Sequence, residues 1–176
     1  MHYLNKQEYN LTFLQENIEL VIYSLVCFFI PFLTHAQFLT GTIVNASLIL
    51  ASLNLRTYKL LPIILFPSLG VLASGLIFGN LTMFLVYMIP FIWISNFLLV
   101  IIFKKLYLHK KLNKFITLFL ASLIKSLFLF TIAFTLFNLK VLPVLFLTVM
   151  GVFQFYTALA GGILAFTIQY IKKEKN

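Results

Sequence analysis

The chain is short of most of what a soluble enzyme uses. Its one cysteine, Cys27, sits inside an apolar run, which excludes a disulfide framework and the thiolate clusters that hold zinc or iron–sulfur groups. A redox-metal function such as that of a hydrogenase has no ligands here. Only four acids face 13 lysines and arginines, and charged residues make up 10% of the chain, against roughly a quarter in soluble domains. No carboxylate pair lies in an apolar segment, no GxSxG occurs, and His35 is the only histidine beside an apolar run outside a basic loop. A membrane enzyme would need a nucleophile with a base, or clustered acids and histidines, so no enzymatic activity, cofactor or metal is expected. A Walker motif is also missing, so any energy from ATP would come from a partner. The first 17 residues carry Lys6, Glu8 and Glu16 in place of a basic region leading into an apolar core, so no cleaved signal peptide is expected.

What is present is hydrocarbon. Hydrophobic residues make up 62% of the chain and the mean hydropathy is +1.05, which marks an integral membrane protein. A membrane helix needs about 20 mostly apolar residues, and six stretches supply that length: 20–38, 40–55, 60–78, 81–103, 115–137 and 141–170. The second is short, and the sixth is long enough that it must tilt or break. Uninterrupted apolar runs exclude a membrane barrel, whose strands alternate. The expected fold is all-α, a polytopic six-helix bundle over residues 18–171. Residues 1–17 precede it as an interfacial or disordered segment, and 172–176 follow as a basic tail.

Basic residues set the orientation. Arg56 and Lys59, the cluster Lys104, Lys105, Lys110, Lys111 and Lys114, and Lys172, Lys173 and Lys175 all fall on one side of a six-span bundle, while the opposite loops carry only Lys140. Both termini are therefore expected in the cytoplasm, with the protein multi-pass in the cell membrane. The formal charge of +9 is explained by that topology, and no nucleic-acid partner is inferred from it.

Polar residues inside the spans are the functional candidates. The stretch THAQFLTGTIVNASL at 34–48 forms the turn between the first two helices and runs down into the second. His35 and Gln37 lie in the turn; Thr42 and Asn45 are spaced i and i+3 on the helix and so share a face. A primary amide in hydrocarbon is costly unless paired, so that face is expected to point inward, either to bond a neighbouring helix or to meet a ligand. Lys125, in ASLIKSLF near the middle of the fifth span, is the most informative residue. A mid-membrane lysine costs about 2.5 to 3.5 kcal/mol by insertion scales, and apart from Glu19 at the start of the first span no acid lies in a span to offset it. It either snorkels to an interface or faces a cavity and takes the carboxylate or phosphate of a small-molecule ligand. Asn96 and Gln154 add amides on the fourth and sixth helices, as helix ties or as ligand contacts.

Helix three and the turn after it contain Gly75 and Gly79 at GxxxG spacing, with Gly70 and Ser74 extending that face at i and i+4, and helix six contains the pairs Ala158 with Gly162 and Gly161 with Ala165. Such small faces allow close approach within one chain or to a partner subunit.

The six-helix layout, the polar outer turn, PSLGVLASGLIFGN and MIPFIWISN together resemble the substrate-binding S components of energy-coupling factor transporters, over residues 31–170. That resemblance implies capture of a vitamin or similar micronutrient near the outer face, with a membrane coupling subunit and a pair of cytoplasmic ATPases as partners. It places His35, Gln37, Thr42 and Asn45 at the lid side and Lys125, Asn96 and Gln154 toward the pocket. LVIYSLVCFFIPFL on helix one lacks the Ala-x-x-x-Ala motif that many S components use to dock the coupling subunit, so the small faces of helices three and six are the expected substitutes. A non-catalytic scaffold or assembly protein and a small secondary transporter are the competing readings.

Overall fold

A computed structural model describes residues 6–9, 11–34 and 36–174, and among these residues the only regular elements are helices. Six long helices form the bundle: α1 (Phe13–Leu33), α2 (Gln37–Asn54), α3 (Leu61–Ser74), α4 (Thr82–Ile102), α5 (Lys114–Asn138) and α6. The last begins at Leu145–Thr148, passes through a π-helical turn at Val149–Phe153 and continues as Gln154–Glu174. A second π-helical stretch, Phe103–His109, extends α4. His35 lies outside the described residues.

Local chemistry explains where the helices begin and end. Thr12 and Gln15 form a capping box: Thr12 Oγ1 accepts from the Gln15 amide and the Gln15 side chain accepts from the Thr12 amide. That pairing satisfies two otherwise orphaned N–H groups and starts α1 at Phe13, earlier than the expected 20, so residues 13–17 belong to its first turns. Pro62 enters α3 at the start, where its missing N–H costs nothing. Gly75 ends α3 in the left-handed conformation at φ 65°, and Gly79 in the following loop also has positive φ, 51°. Those two glycines therefore turn the chain and are not part of a packing face, and the third helix stops at Ser74 instead of running to 78.

Among the described residues, five helical stretches are long and apolar enough to cross a membrane: Phe13–Leu33, Thr57–Ser74, Gly79–His109, Lys114–Asn138 and Leu145–Lys172. Large apolar side chains ring the outside, among them Val21, Leu25 and Phe29 on α1, Phe119, Leu127 and Phe134 on α5, and Val152 and Ile163 on α6. Such a belt suits lipid, not water. The remaining helix, α2, is the axis of the bundle. It is buried at Thr40 and at every residue from Val44 to Asn54, packing most extensively against α6 and α1. Because protein surrounds it, α2 carries polar residues that a lipid-facing helix could not.

Close backbone approach comes from the small residues. A Cβ on Gly70 would lie 2.3 Å from the Phe28 carbonyl oxygen of α1, and one on Gly161 would lie 2.6 Å from the Thr42 carbonyl oxygen of α2. A Cβ on Gly162 would meet Leu118 of α5, while Ala158 and Ala165 are fully buried. Gly70 of α3 and the small face of α6 are thus in close contact within this chain.

Polar residues lock one end. Glu16, 1% exposed, accepts from Lys59 Nζ at 2.9 Å, the Arg56 amide at 2.9 Å and Gln7 Nε2 at 3.1 Å. Glu19 pairs with Lys172 and accepts from Tyr23 OH and Asn54 Nδ2. Lys104 Nζ donates to the Leu55 and Lys6 carbonyls at 2.8 and 3.0 Å. These bonds gather the basic connections at a single end of the bundle, hereafter the basic end.

Thermal unfolding in detergent micelles tests the helix contacts. Gly161→Leu is expected to cost about 1–3 kcal/mol by overpacking. Gly75→Ala, where nothing lies within 4 Å of a new Cβ, is expected to cost about 1–2 kcal/mol through its left-handed backbone alone. A Gly161→Leu protein as stable as the parent would mean that α2 and α6 do not approach as described.

Candidate functional site

Two apolar cores divide the bundle. One surrounds α2 toward the basic end, with Leu48, Ile49, Ile63, Leu99 and Phe103; the other joins α4, α5 and the start of α6, with Met88, Leu129, Phe146 and Met150. At the seam between them lies a cavity of about 90 Å³. Its polar wall includes Asn45, Asn96 and Lys125, its apolar wall includes Val44, Val71, Leu85, Ile92 and Met150, and Gln37, Thr40, Ile77, Phe78 and Gln154 also line it. Gln37 and the loop residues Ile77 and Phe78 place its upper part at the end opposite the basic rim.

Lys125 is 2% exposed. It does not snorkel. Its Nζ donates to Asn45 Oδ1 at 2.6 Å and to Asn96 Oδ1 at 2.8 Å. The other end of each amide is also fixed: Asn45 Nδ2 donates to Thr157 Oγ1 at 3.2 Å, and Asn96 Nδ2 donates to the Ile64 carbonyl at 3.1 Å. Thr157 Oγ1 in turn donates to the Gln154 carbonyl at 3.3 Å. Flipping either amide would set its NH₂ against the ammonium, so both orientations follow from the network. One lysine from α5 thereby joins α2 and α4 directly, and through their amides α6 and α3.

The electrostatics are one-sided. An ammonium has three N–H donors; two are held by amide oxygens, a third has no partner among the described residues, and Lys125 lines the cavity. Charge-assisted bonds to neutral oxygens stabilise the cation without cancelling its charge. Among the described residues no carboxylate lines the cavity. Among the described residues no group of three His, Cys, Asp or Glu is placed to hold a metal ion. The arrangement suits recognition of an anionic group by a cation and amides, beside apolar walls that can take an aliphatic or aromatic body.

Of the residues singled out in the sequence, Gln37, Asn45, Asn96, Lys125 and Gln154 line this one cavity. Thr42 does not line it. Its carbonyl faces Gly161 of α6, and its Oγ1 is buried with no hydrogen-bond partner among the described residues. The cavity face of α2 is instead Gln37, Thr40, Gly41, Val44 and Asn45, an i, i+3, i+4 stripe that admits Gly41 at i−4 from Asn45 and leaves Thr42 to one side. Thr40, Gly41, Ser68 and Thr157 are the polar or small residues at or beside the site that the sequence alone did not assign to it. The helical stripe is a signal for the first two. Ser68, which accepts from Trp93 Nε1 at 2.8 Å, carries no such signal.

If the amide–ammonium bond is made, Asn45→Leu and Lys125→Met are non-additive. A double-mutant cycle read by thermal unfolding is expected to give a coupling of about 0.5–3 kcal/mol, and additive effects would mean the two side chains do not meet. Compared with known proteins, the chain matches no family model, no curated protein and no solved structure.

Proposed function

We propose that the protein is the membrane-embedded, substrate-binding component of an uptake system, taking a small organic anion from the outer side into the cavity over Lys125. The observation that carries this reading is a buried ammonium that lines the cavity, with amide partners and, among the described residues, no carboxylate beside it and no partner for its third N–H. Buried charges in membrane interiors cost several kcal/mol and mark ligand or ion sites when they face a cavity.

In this reading six helices cross the membrane, α2 among them, with both termini in the cytoplasm. The gathering of Arg56, Lys59, Lys104, Lys114 and Lys172 at one end supports that orientation by the positive-inside rule. The cavity then lies in the outer half. The ligand's charged group displaces water, accepts from Lys125 Nζ and is oriented by the amides of Gln37 and Gln154. Its apolar body rests on Val71, Leu85 and Ile92. The function is capture without chemistry. The likeness to S components of energy-coupling factor transporters adds a coupling subunit and cytoplasmic ATPases as partners that supply the energy.

The present volume, about 90 Å³, is below the roughly 300–1,000 Å³ of pockets that enclose drug-sized molecules. It accommodates the anionic head; a vitamin-sized ligand requires the upper wall to part. Ile77 and Phe78 belong to the loop bounded by Gly75 and Gly79, both in left-handed conformations, and that loop is the element free to turn.

Native mass spectrometry of protein purified from its own cells tests the reading. A retained small anion is expected on the parent protein and absent from Lys125→Met, with insertion and expression unchanged. Retention that survives Lys125→Met would remove the ammonium from the site. Co-purifying ATPase subunits would support the transporter assignment; pH-driven flux in liposomes without ATP would replace it with a secondary carrier.

A further inference from the structure

A second cavity, of about 190 Å³, lies at the basic end between the start of α5 and the end of α6. It shares no lining residue with the first, so an occupant here is independent of the proposed transport role. Glu8, Tyr9, Tyr107, Lys114, Phe166 and Gln169 line it. The segment carrying Glu8 is pinned in place, its amide donating to the Leu53 carbonyl at 2.7 Å.

One residue lining this pocket carries a polar atom with no partner among the described residues. Gln169 is 6% exposed, and its Nε2 donates to Glu8 Oε2 at 3.1 Å and to Asn54 Oδ1 at 3.0 Å. Both hydrogens of the amide are therefore spent. Its Oε1 is buried with no hydrogen-bond partner among the described residues. Flipping the amide would set that oxygen against the Glu8 carboxylate and the Asn54 oxygen, so the orientation is fixed. A buried acceptor left unpaired costs about 1–3 kcal/mol, and a ligand N–H that reaches Oε1 from the cavity by a shift of the Gln169 side chain removes that cost. Glu8, which accepts from Tyr107 OH at 3.1 Å, supplies negative charge beside it. Lys114 supplies the opposite sign, its ammonium 5.3 Å from the ring centres of both Phe115 and Phe166.

Each simple ligand class fails on one of these groups. A plain anion meets Glu8 and gives Oε1 nothing; a plain cation meets Lys114. A zwitterion with N–H donors at one end and an anion at the other answers both. The surroundings say where it comes from. Tyr9 and Tyr107 are the amphipathic aromatics typical of membrane–water interfaces, and Phe115 and Ile116, more than half exposed, begin the apolar flank of α5 just beyond Lys114. We propose that this pocket binds the headgroup of a phosphatidylethanolamine lipid, its ammonium donating to Gln169 Oε1 and Glu8 and its phosphate meeting Lys114, with the acyl chains along α5.

The selectivity is specific to N–H count. Phosphatidylcholine has the same charges and no N–H to give. Native mass spectrometry of the full-length protein, released from mixed micelles holding equimolar phosphatidylethanolamine and phosphatidylcholine of matched chains, is expected to show about tenfold preferential retention of the former, the size of one charge-assisted bond. Retention is expected to fall stepwise through the mono- and dimethyl lipids, a series that needs no variant. Gln169→Met should erase the preference and Lys114→Met should weaken retention of both lipids. Equal retention of the two parent lipids, preference for an anionic lipid such as phosphatidylglycerol, or a preference untouched by both variants would overturn the proposal. Free phosphoethanolamine competing as well as the diacyl lipid would overturn the lipid as the occupant.

Discussion

The bundle is organised around one ammonium that has to be kept away from hydrocarbon. Lys125 sits in the middle of a helix otherwise built for lipid, and only protein atoms can solvate it there. Asn45 and Asn96 do so at 2.6 and 2.8 Å, and each amide is then committed at its other end to Thr157 or to the Ile64 carbonyl. Five helices are thereby held in mutual register by a neutral-to-cation network. Neutral acceptors hold a cation in place while leaving its charge expressed. A carboxylate in the same position would have made a closed ion pair.

That constraint accounts for the unusual helix at the centre. α2 is the least hydrocarbon-like of the six, and it is the one that neighbours cover on nearly every side. Close approach by α6 at Gly161 makes the cover possible. The two ends of the molecule then differ in kind. At the basic end Glu8, Glu16 and Glu19, three of the chain's four acids, are each engaged by lysines, amides or tyrosine hydroxyls, so the carboxylates there serve the packing of the chain. At the other end the cation faces a cavity with no acid on its wall among the described residues.

Much of the architecture is legible in the sequence because hydrophobic run length reports membrane helices directly. The all-helical class and the approximate position of each helix follow from it. Ends are less legible, since they depend on side-chain bonds that hydropathy ignores. The Thr12–Gln15 capping box moves the start of α1 to Phe13, and left-handed Gly75 stops α3 at Ser74. Spacing also misleads where backbone conformation intervenes: Gly75 and Gly79 have the interval of a packing motif and serve a loop. The site divides in the same way. Lys125, Asn45, Asn96 and Gln154 stand out because each interrupts an apolar run, whereas Thr42 faces α6 for a reason only the packing of Gly161 supplies. Thr157 and Ser68 are small hydroxyls that a helix can satisfy on its own backbone, so nothing in their sequence context separates a structural role from a place in the network.

The unmatched cation is the central claim, and an anion with no shape requirement tests it most directly. Crystals soaked in bromide and measured at its absorption edge locate the ion by anomalous scattering, independently of any assumption about the natural ligand. The account predicts a peak in the cavity within hydrogen-bonding distance of Lys125 Nζ, with Asn45 and Asn96 still holding the ammonium. Peaks confined to the basic end, with the cavity empty, or a Lys125 side chain turned out toward the headgroups, would contradict it.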